Sequence, residues 1–202
     1  VKQVMLGELD AVKEKYAQPR LTSIVYEHEI AAFREEDETP DYPVTVFLSR
    51  HGYFKKITPQ SLRMADVQKY KEEDGPSQSC ETTNKAEVMF FTNRQQVYKC
   101  RLSEFDDSKA SLLGDYLPSK LGMDQDESVV RMILPGDYSG ALLFFFENGK
   151  AARVDLSAYA TTSNRRKLTG AYSDKSPLVS LLHIREDGEL ALYSSDQRAL
   201  VF

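Results

Sequence analysis

One pattern, a strand, a tight polar turn and a second strand, occurs four times in this chain and leaves few ways to fold it. The first copy is VTVFLSRHGYFKKITP, Val44 to Pro59. A β-rich run ends at Ser49, Arg50-His51-Gly52 makes the turn, and Tyr53 to Ile57 resumes a strand with two lysines. The later copies are EVMFFTNRQQVYKCRLSEF from Glu87, ALLFFFENGKAARVDLSAY from Ala141 and ELALYSSDQRALVF from Glu189. With Gly52, Gln95, Gly149 and Gln197 as equivalent turn positions, the steps are 43, 54 and 48 residues. A lone hairpin is marginal in water, so repeated hairpins must bury their apolar faces against one another. This spacing predicts one sheet-like blade per repeat, hence an all-β body of about four propeller-like blades.

The first 43 residues read differently. Met5, Leu9, Val12 and Tyr16 form one apolar stripe on a helix from about Gln3 to Ala17, which Gln18-Pro19 ends. Thr22 to Tyr26 is β-prone and is a candidate edge strand, and Arg34 to Tyr42 is an acidic linker containing Pro40. The expected division is a helix over 1–20, a β-prone segment and linker over 21–43, and the blade body over 44–202. Between hairpins, Ser61 to Gly75 reads as a charged loop with a short helix around Met64, Val67 and Tyr70. Cys80 to Asn84 reads as a lead-in, Phe105 to Gly122 as a long connection and Thr161 to Gly170 as a polar, basic loop. Glu127 to Ile133 and Leu178 to Ile184 read as strands. Leu142 to Phe146 is continuously apolar, as expected of a strand covered on both faces. The last hairpin is either cut short or closed by a strand from elsewhere, such as Thr22 to Tyr26; a longer, truncated array is preferred. Val1 likewise reads as the start of a fragment.

Charge narrows the function classes little. Residues 1–43 hold 5 Lys/Arg and 10 Asp/Glu, and the remainder holds 21 of each, so local clusters rather than the total decide any contact with nucleic acid. Cys80 and Cys100 have no metal or redox spacing and read as reduced thiols. His28, His51 and His183 are scattered, without metal or catalytic grouping. No apolar run approaches a membrane span and no signal peptide opens the chain, so the expected location is cytoplasmic.

Several segments together resemble the C-terminal part of the A subunit of bacterial type IIA DNA topoisomerases, gyrase and topoisomerase IV. Gly7 to Ile24 looks like the end of the coiled coil that precedes that part. His51 to Ile57, HGYFKKI, resembles its basic blade hairpin, and Phe90 to Lys99 its second blade. Leu102-Ser103-Glu104-Phe105 and Leu156-Ser157-Ala158-Tyr159 resemble the element that follows its hairpins. The resemblance implies a β-pinwheel, with strands exchanged between neighbouring blades and a duplex DNA-binding rim that bends DNA. It implies a domain without the catalytic tyrosine and inactive alone, with no cofactor of its own. ATP and Mg would be used elsewhere in the full enzyme, with the A-subunit cleavage core and the ATPase B subunit as partners. The Gln-Arg-Arg-Gly-Gly-Arg-Gly box typical of gyrase is missing; Ser61 to Gly75 stands in its place, and Ser163 to Gly170 is a loose echo. This leans the resemblance toward a relaxing and decatenating enzyme of topoisomerase IV type.

On that resemblance the candidate DNA contacts are the Arg165-Arg166-Lys167 cluster, Lys55 and Lys56 on the first hairpin, Arg50 and Arg94 at turns, and Arg153 after the third turn. Lysines and arginines release counterions when they neutralise phosphates. Alternation along a strand puts Lys55 and Lys56 on opposite faces, one expected on the rim and one against the next blade. No base-reading helix or ribbon stands out, so binding is expected to tolerate sequence and to use DNA bendability. Phe90, Phe91, Phe144, Phe145 and Phe146 read as core. The alternative function is a propeller-like protein-interaction module with no nucleic-acid role. A stand-alone enzyme is disfavoured because no nucleophile, base and acid set is visible.

Overall fold

All four hairpins form where the repeat places them, in a computed structural model that describes residues 2–18, 39–65, 67–161, 166–186, 188–193, 195 and 198–201. Strands β1 (Pro43–Ser49) and β2 (Tyr53–Ile57) pair with Thr45 opposite Ile57 and Leu48 opposite Phe54. The chain then returns as β3 (Pro76–Thr83) on the far side of β1. The second hairpin is β4 (Glu87–Thr92) with β5 (Gln96–Arg101). After it, β6 (Asp115–Tyr116) crosses back to pair with β2 of the first sheet, and β7 (Val129–Ile133) pairs with β4. The third hairpin, β8 (Ala141–Phe146) with β9 (Ala151–Asp155), repeats the scheme. Here β10 (Lys167–Thr169) crosses back to β5, and β11 (Leu178–Ile184) pairs with β8. Strands β12 (Ala191–Tyr193) and β13 (Ala199–Val201) form the fourth hairpin. Each of the first two sheets therefore takes its fourth strand from the chain that follows the next hairpin, giving the orders β3-β1-β2-β6 and β10-β5-β4-β7.

The apolar runs are explained by this stacking. Successive residues of β4 point to opposite faces. Val88 and Phe90 join Val46, Leu48, Phe54 and Phe105 in one core, whereas Met89 and Phe91 join Leu142, Phe144, Leu156 and Tyr159 in a second. Both faces of the second sheet are thus covered, so EVMFFT has no polar alternation. Phe90, Phe91 and Phe144 are fully buried and Phe146 nearly so, while Phe145 is half-buried. Rings meet edge to face between sheets, as in Phe54 with Phe90 at 5.4 Å and Phe91 with Tyr159 at 5.4 Å.

The turns follow their residues. Gly52 and Gly149 adopt φ of 82° and 76°, and Gln95 takes the same left-handed region at 56° without being glycine. Tyr172 props that second turn: its hydroxyl donates to the Thr92 carbonyl and accepts from the Gln95 amide.

Three segments differ from the sequence reading. The short helix after the first hairpin is Pro59–Arg63, earlier than expected, because Thr58 caps it at Ser61 N and proline occupies its first turn. Pro76–Thr83, read only in part as a lead-in, is a full edge strand on which Ser77, Ser79, Glu81 and Thr83 are exposed. Lys167–Thr169, read as loop, pairs with β5.

By contact density the chain divides into Val1–Glu38 and Thr39–Phe202. The first unit holds the helix Lys2–Tyr16, whose Met5, Leu9, Val12 and Tyr16 are all exposed. Thr22 to Tyr26 and Arg34 to Glu38 lie outside the described residues. Among the described residues no helix is long and apolar enough to cross a membrane, and no group of His, Cys, Asp and Glu is arranged to hold a metal.

Candidate nucleic-acid interface

The first hairpin's two lysines are not where a DNA contact would need them. Lys55 and Lys56 are each 3% exposed. The Lys55 ammonium donates to the Lys69 carbonyl at 2.6 Å, Gln68 Oε1 at 3.2 Å and the Ala110 carbonyl at 3.3 Å. It lies over the Tyr70 ring, and burial pushes its pKa down from the ordinary lysine value. Lys56 faces the other way and is equally enclosed. Its ammonium donates to Asn84 Oδ1 at 2.7 Å and the Leu102 carbonyl at 3.1 Å, and pairs with Asp107 at 3.2 Å. The expectation that one of them lines a solvent-facing rim is corrected: sheet alternation separates them, but packed chain covers both faces.

Lys99, which the sequence reading passed over, stands at the position of Lys56 in the second hairpin, four residues after the turn. It is nearly buried and repeats the chemistry. Its ammonium donates to the Tyr159 carbonyl at 3.1 Å and Thr161 Oγ1 at 3.4 Å, pairs with Glu87 at 3.2 Å, and lies over the Tyr138 ring. In each case the lysine ties the second hairpin strand to the 3₁₀ turn after the next hairpin, Leu102–Glu104 or Leu156–Tyr159. A tyrosine completes both sites: Tyr42 donates to Asp107, and Tyr138 donates to Glu87 at 2.6 Å. Burial, then the Glu87 hydrogen bond, pushes the Tyr138 pKa up. The equal offset of Lys56 and Lys99 from their turns is the signal that could have paired them.

The exposed cations lie elsewhere. Arg50 and Arg94 are exposed at the first and second turns, and Arg153 is exposed on β9. Arg165 lies outside the described residues, whereas Arg166 and Lys167 lie within them. Arg166 is exposed and pairs with Glu104 at 3.2 Å. Lys167 opens β10, lies over the Tyr98 ring at 5.3 Å and pairs with Asp124 at 3.3 Å. The Tyr98 phenol and Asp124 raise the Lys167 pKa. Gln96, which donates to Asp124 at 3.2 Å, and then Lys167 hold the Asp124 carboxyl below the usual range, with Arg94 adding a weaker pull. Lys167 and Arg94 thus come together around one carboxylate, although they are 73 residues apart in sequence.

The loop that carries Asp124 is fastened from inside. Glu127 is 5% exposed, and its carboxylate accepts from Thr92 Oγ1 at 2.6 Å, Tyr98 Oη at 2.9 Å and the Asp124 amide at 3.0 Å. Three donors satisfy its charge, so it shapes the surface without adding much negative potential there. The exposed or half-exposed guanidinium and ammonium groups thus sit on turns and short strands, with acidic side chains directly beside Arg166 and Lys167. Among the described residues there, no nucleophile stands beside a base.

No protein-family model matches the chain. A subunit of DNA topoisomerase 4 from Staphylococcus aureus is 22% identical over 98% of this chain and 26% of its own length. The chain thus spans about a quarter of the curated relatives it matches. Among solved structures, the C-terminal domain of DNA topoisomerase IV aligns with a TM-score of 0.69 and 24% identity, over 80% of this chain and 52% of that one. The E. coli ParC C-terminal domain aligns with a TM-score of 0.60 and 17% identity, over 79% and 64%. The exchanged fourth strands, the stacked hairpins and these alignments agree: the fold is the β-pinwheel of topoisomerase IV C-terminal domains, and the sequence is similar along nearly its whole length to the A subunit of that enzyme.

Proposed function

We propose that the chain is the non-catalytic C-terminal domain of a type IIA topoisomerase A subunit, which binds and bends duplex DNA and presents it for ATP-dependent strand passage. The observation that carries this reading is the similarity to a topoisomerase IV A subunit over 98% of the chain, joined to a shared fold. The DNA-contacting groups in this reading are Arg50, Arg94, Arg153, Arg165, Arg166 and Lys167. Lys55 and Lys56 are left out because their charges are spent inside the protein. Exposed arginines and lysines on fixed turns contact phosphates without reading bases, and their affinity comes largely from counterion release. Covalent DNA chemistry and ATP use, with its Mg, belong in this reading to other parts of the A subunit and to a B subunit, and the domain alone is inactive. The expected location is cytoplasmic.

The test is a topology assay on the full A subunit with its B subunit, with and without residues 39–202. The reading predicts that the deletion impairs relaxation or decatenation of plasmid substrates while cleavage of short linear duplex persists. Equal plasmid activity of both forms would contradict it. The lack of the Gln-Arg-Arg-Gly-Gly-Arg-Gly box favours decatenation over negative supercoiling as the activity lost.

A further inference from the structure

Beside the first turn lies a cleft of ≈ 490 Å³, and of its lining the duplex reading uses Arg50 alone. Arg50, His51 and Lys71 line it together with Tyr53 and Tyr116. Tyr53 and Tyr116 are directly opposite in the β2–β6 register, with ring centroids 5.1 Å apart at 40°. Tyr116 is 44% exposed, so the pair presents an open aromatic face held by two paired strands. Gly52, with its positive φ of 82°, and Pro118 also line the cleft.

The charges differ from those around Lys167. Among the described residues, no carboxylate stands within ion-pair distance of the Arg50 or Lys71 side chains. The one acid in the lining, Glu127, is turned inward onto Thr92, Tyr98 and the Asp124 amide. Asp74, behind the turn, accepts from the His51 and Gly75 amides. The cleft therefore combines uncommitted cations with an exposed aromatic pair, the two elements that single-strand binders use.

Size and chemistry together choose the ligand. A space of this volume takes one nucleoside-sized group and is far too small for a double helix. A base inside a duplex keeps its faces covered by its neighbours, whereas an unpaired base can lie on a tyrosine. We propose that this cleft binds a nucleotide of single-stranded nucleic acid, with its base stacked on Tyr116 and Tyr53 and its phosphate held by Arg50 and Lys71. The site is separate from the duplex contacts proposed above, apart from Arg50, which both share.

Fluorescence anisotropy of the 202-residue chain with labelled oligothymidylate and oligouridylate tests this, with a blunt duplex as a separate arm. Binding of either single strand at low salt is expected. Tyr116→Ala should weaken single-strand binding about tenfold, and Tyr116→Trp should retain it. Lys71→Gln should reduce the salt dependence by about 0.7 in log–log slope. Duplex affinity should be unchanged by Tyr116→Ala, so a failure of duplex binding and a failure of this site read out separately. The proposal is overturned if neither single strand binds, if Tyr116→Ala binds as the wild type does, or if Tyr116→Trp is as weak as Tyr116→Ala. Thermal melts of each variant verify that loss of binding is not loss of fold.

Discussion

The Lys56 ammonium, on a strand of the first sheet, donates to the carbonyl of Leu102, in the 3₁₀ turn that follows the second hairpin, at 3.1 Å. Lys99 and Tyr159 stand in the same relation one repeat later, also at 3.1 Å. Neighbouring sheets are therefore joined by an apolar core and also by a recurring buried cation that satisfies a turn carbonyl and a carboxylate.

That relation makes the two lysines stability residues. Lys99→Met keeps much of the stem but leaves Glu87 Oε1 and the Tyr159 carbonyl without the ammonium, which should cost about 2–4 kcal/mol. Lys56→Met should behave similarly. Urea unfolding measures the loss, and duplex affinity of the folded variants should be unchanged. Unaltered stability with weakened DNA binding would return both residues to the DNA surface.

A backbone crossing should be about as intolerant. Gly114 has φ of 86°, and a Cβ there would lie 2.2 Å from the Phe54 carbonyl oxygen. Only glycine lets the chain pass β2 this closely before it becomes β6. Gly114→Ala should destabilise by about 3 kcal/mol, and a midpoint in urea equal to that of the wild type would refute the close approach.

Alkali should find the buried thiol. Burial pushes the Cys100 pKa from 9.0 to about 12. The unfolded thiol then ionises first, so the unfolded state binds fewer protons than the folded one across that window. Stability from this group is fully present below about pH 9 and is lost progressively as pH rises toward about 12. Cys100→Val should flatten the decline in urea midpoints over this range, and an identical decline in both proteins would exclude the thiol as its source.

Much of this architecture was legible from sequence because the hairpins carry local signals. LLFFF reads as a strand covered on both faces, and Gly52 and Gly149 mark their turns. The exchanged strands were not legible, since Asp115–Tyr116 and Lys167–Thr169 are too short to show a period and are defined by partners in another repeat. Lys55 and Lys56 were misplaced for a related reason. A lysine pair on a strand reads as surface unless its distant partners, here Asn84, Leu102, Asp107 and Ala110, are known to converge on it.

On the proposed reading, the acids beside the basic cluster compete with DNA for its cations. Asp124 holds Lys167 and Glu104 holds Arg166, so a phosphate must compete with each carboxylate. Asp124→Asn and Glu104→Gln should each tighten duplex binding by about two- to fivefold at low salt, an effect that fades as salt screens it. Weaker binding by these variants would mean that the carboxylates orient the cations for DNA instead of competing for them.

The central claim is that exposed cations on this pinwheel neutralise duplex phosphates. The most direct measurement is duplex affinity by anisotropy across a salt series, for the wild type and Lys167→Gln. The account predicts that log K falls linearly with log salt, by about 0.9 for each phosphate contacted, and that Lys167→Gln makes the slope shallower by about 0.9. Affinity that stays flat from low to moderate salt, or no measurable duplex binding at low salt, would contradict it.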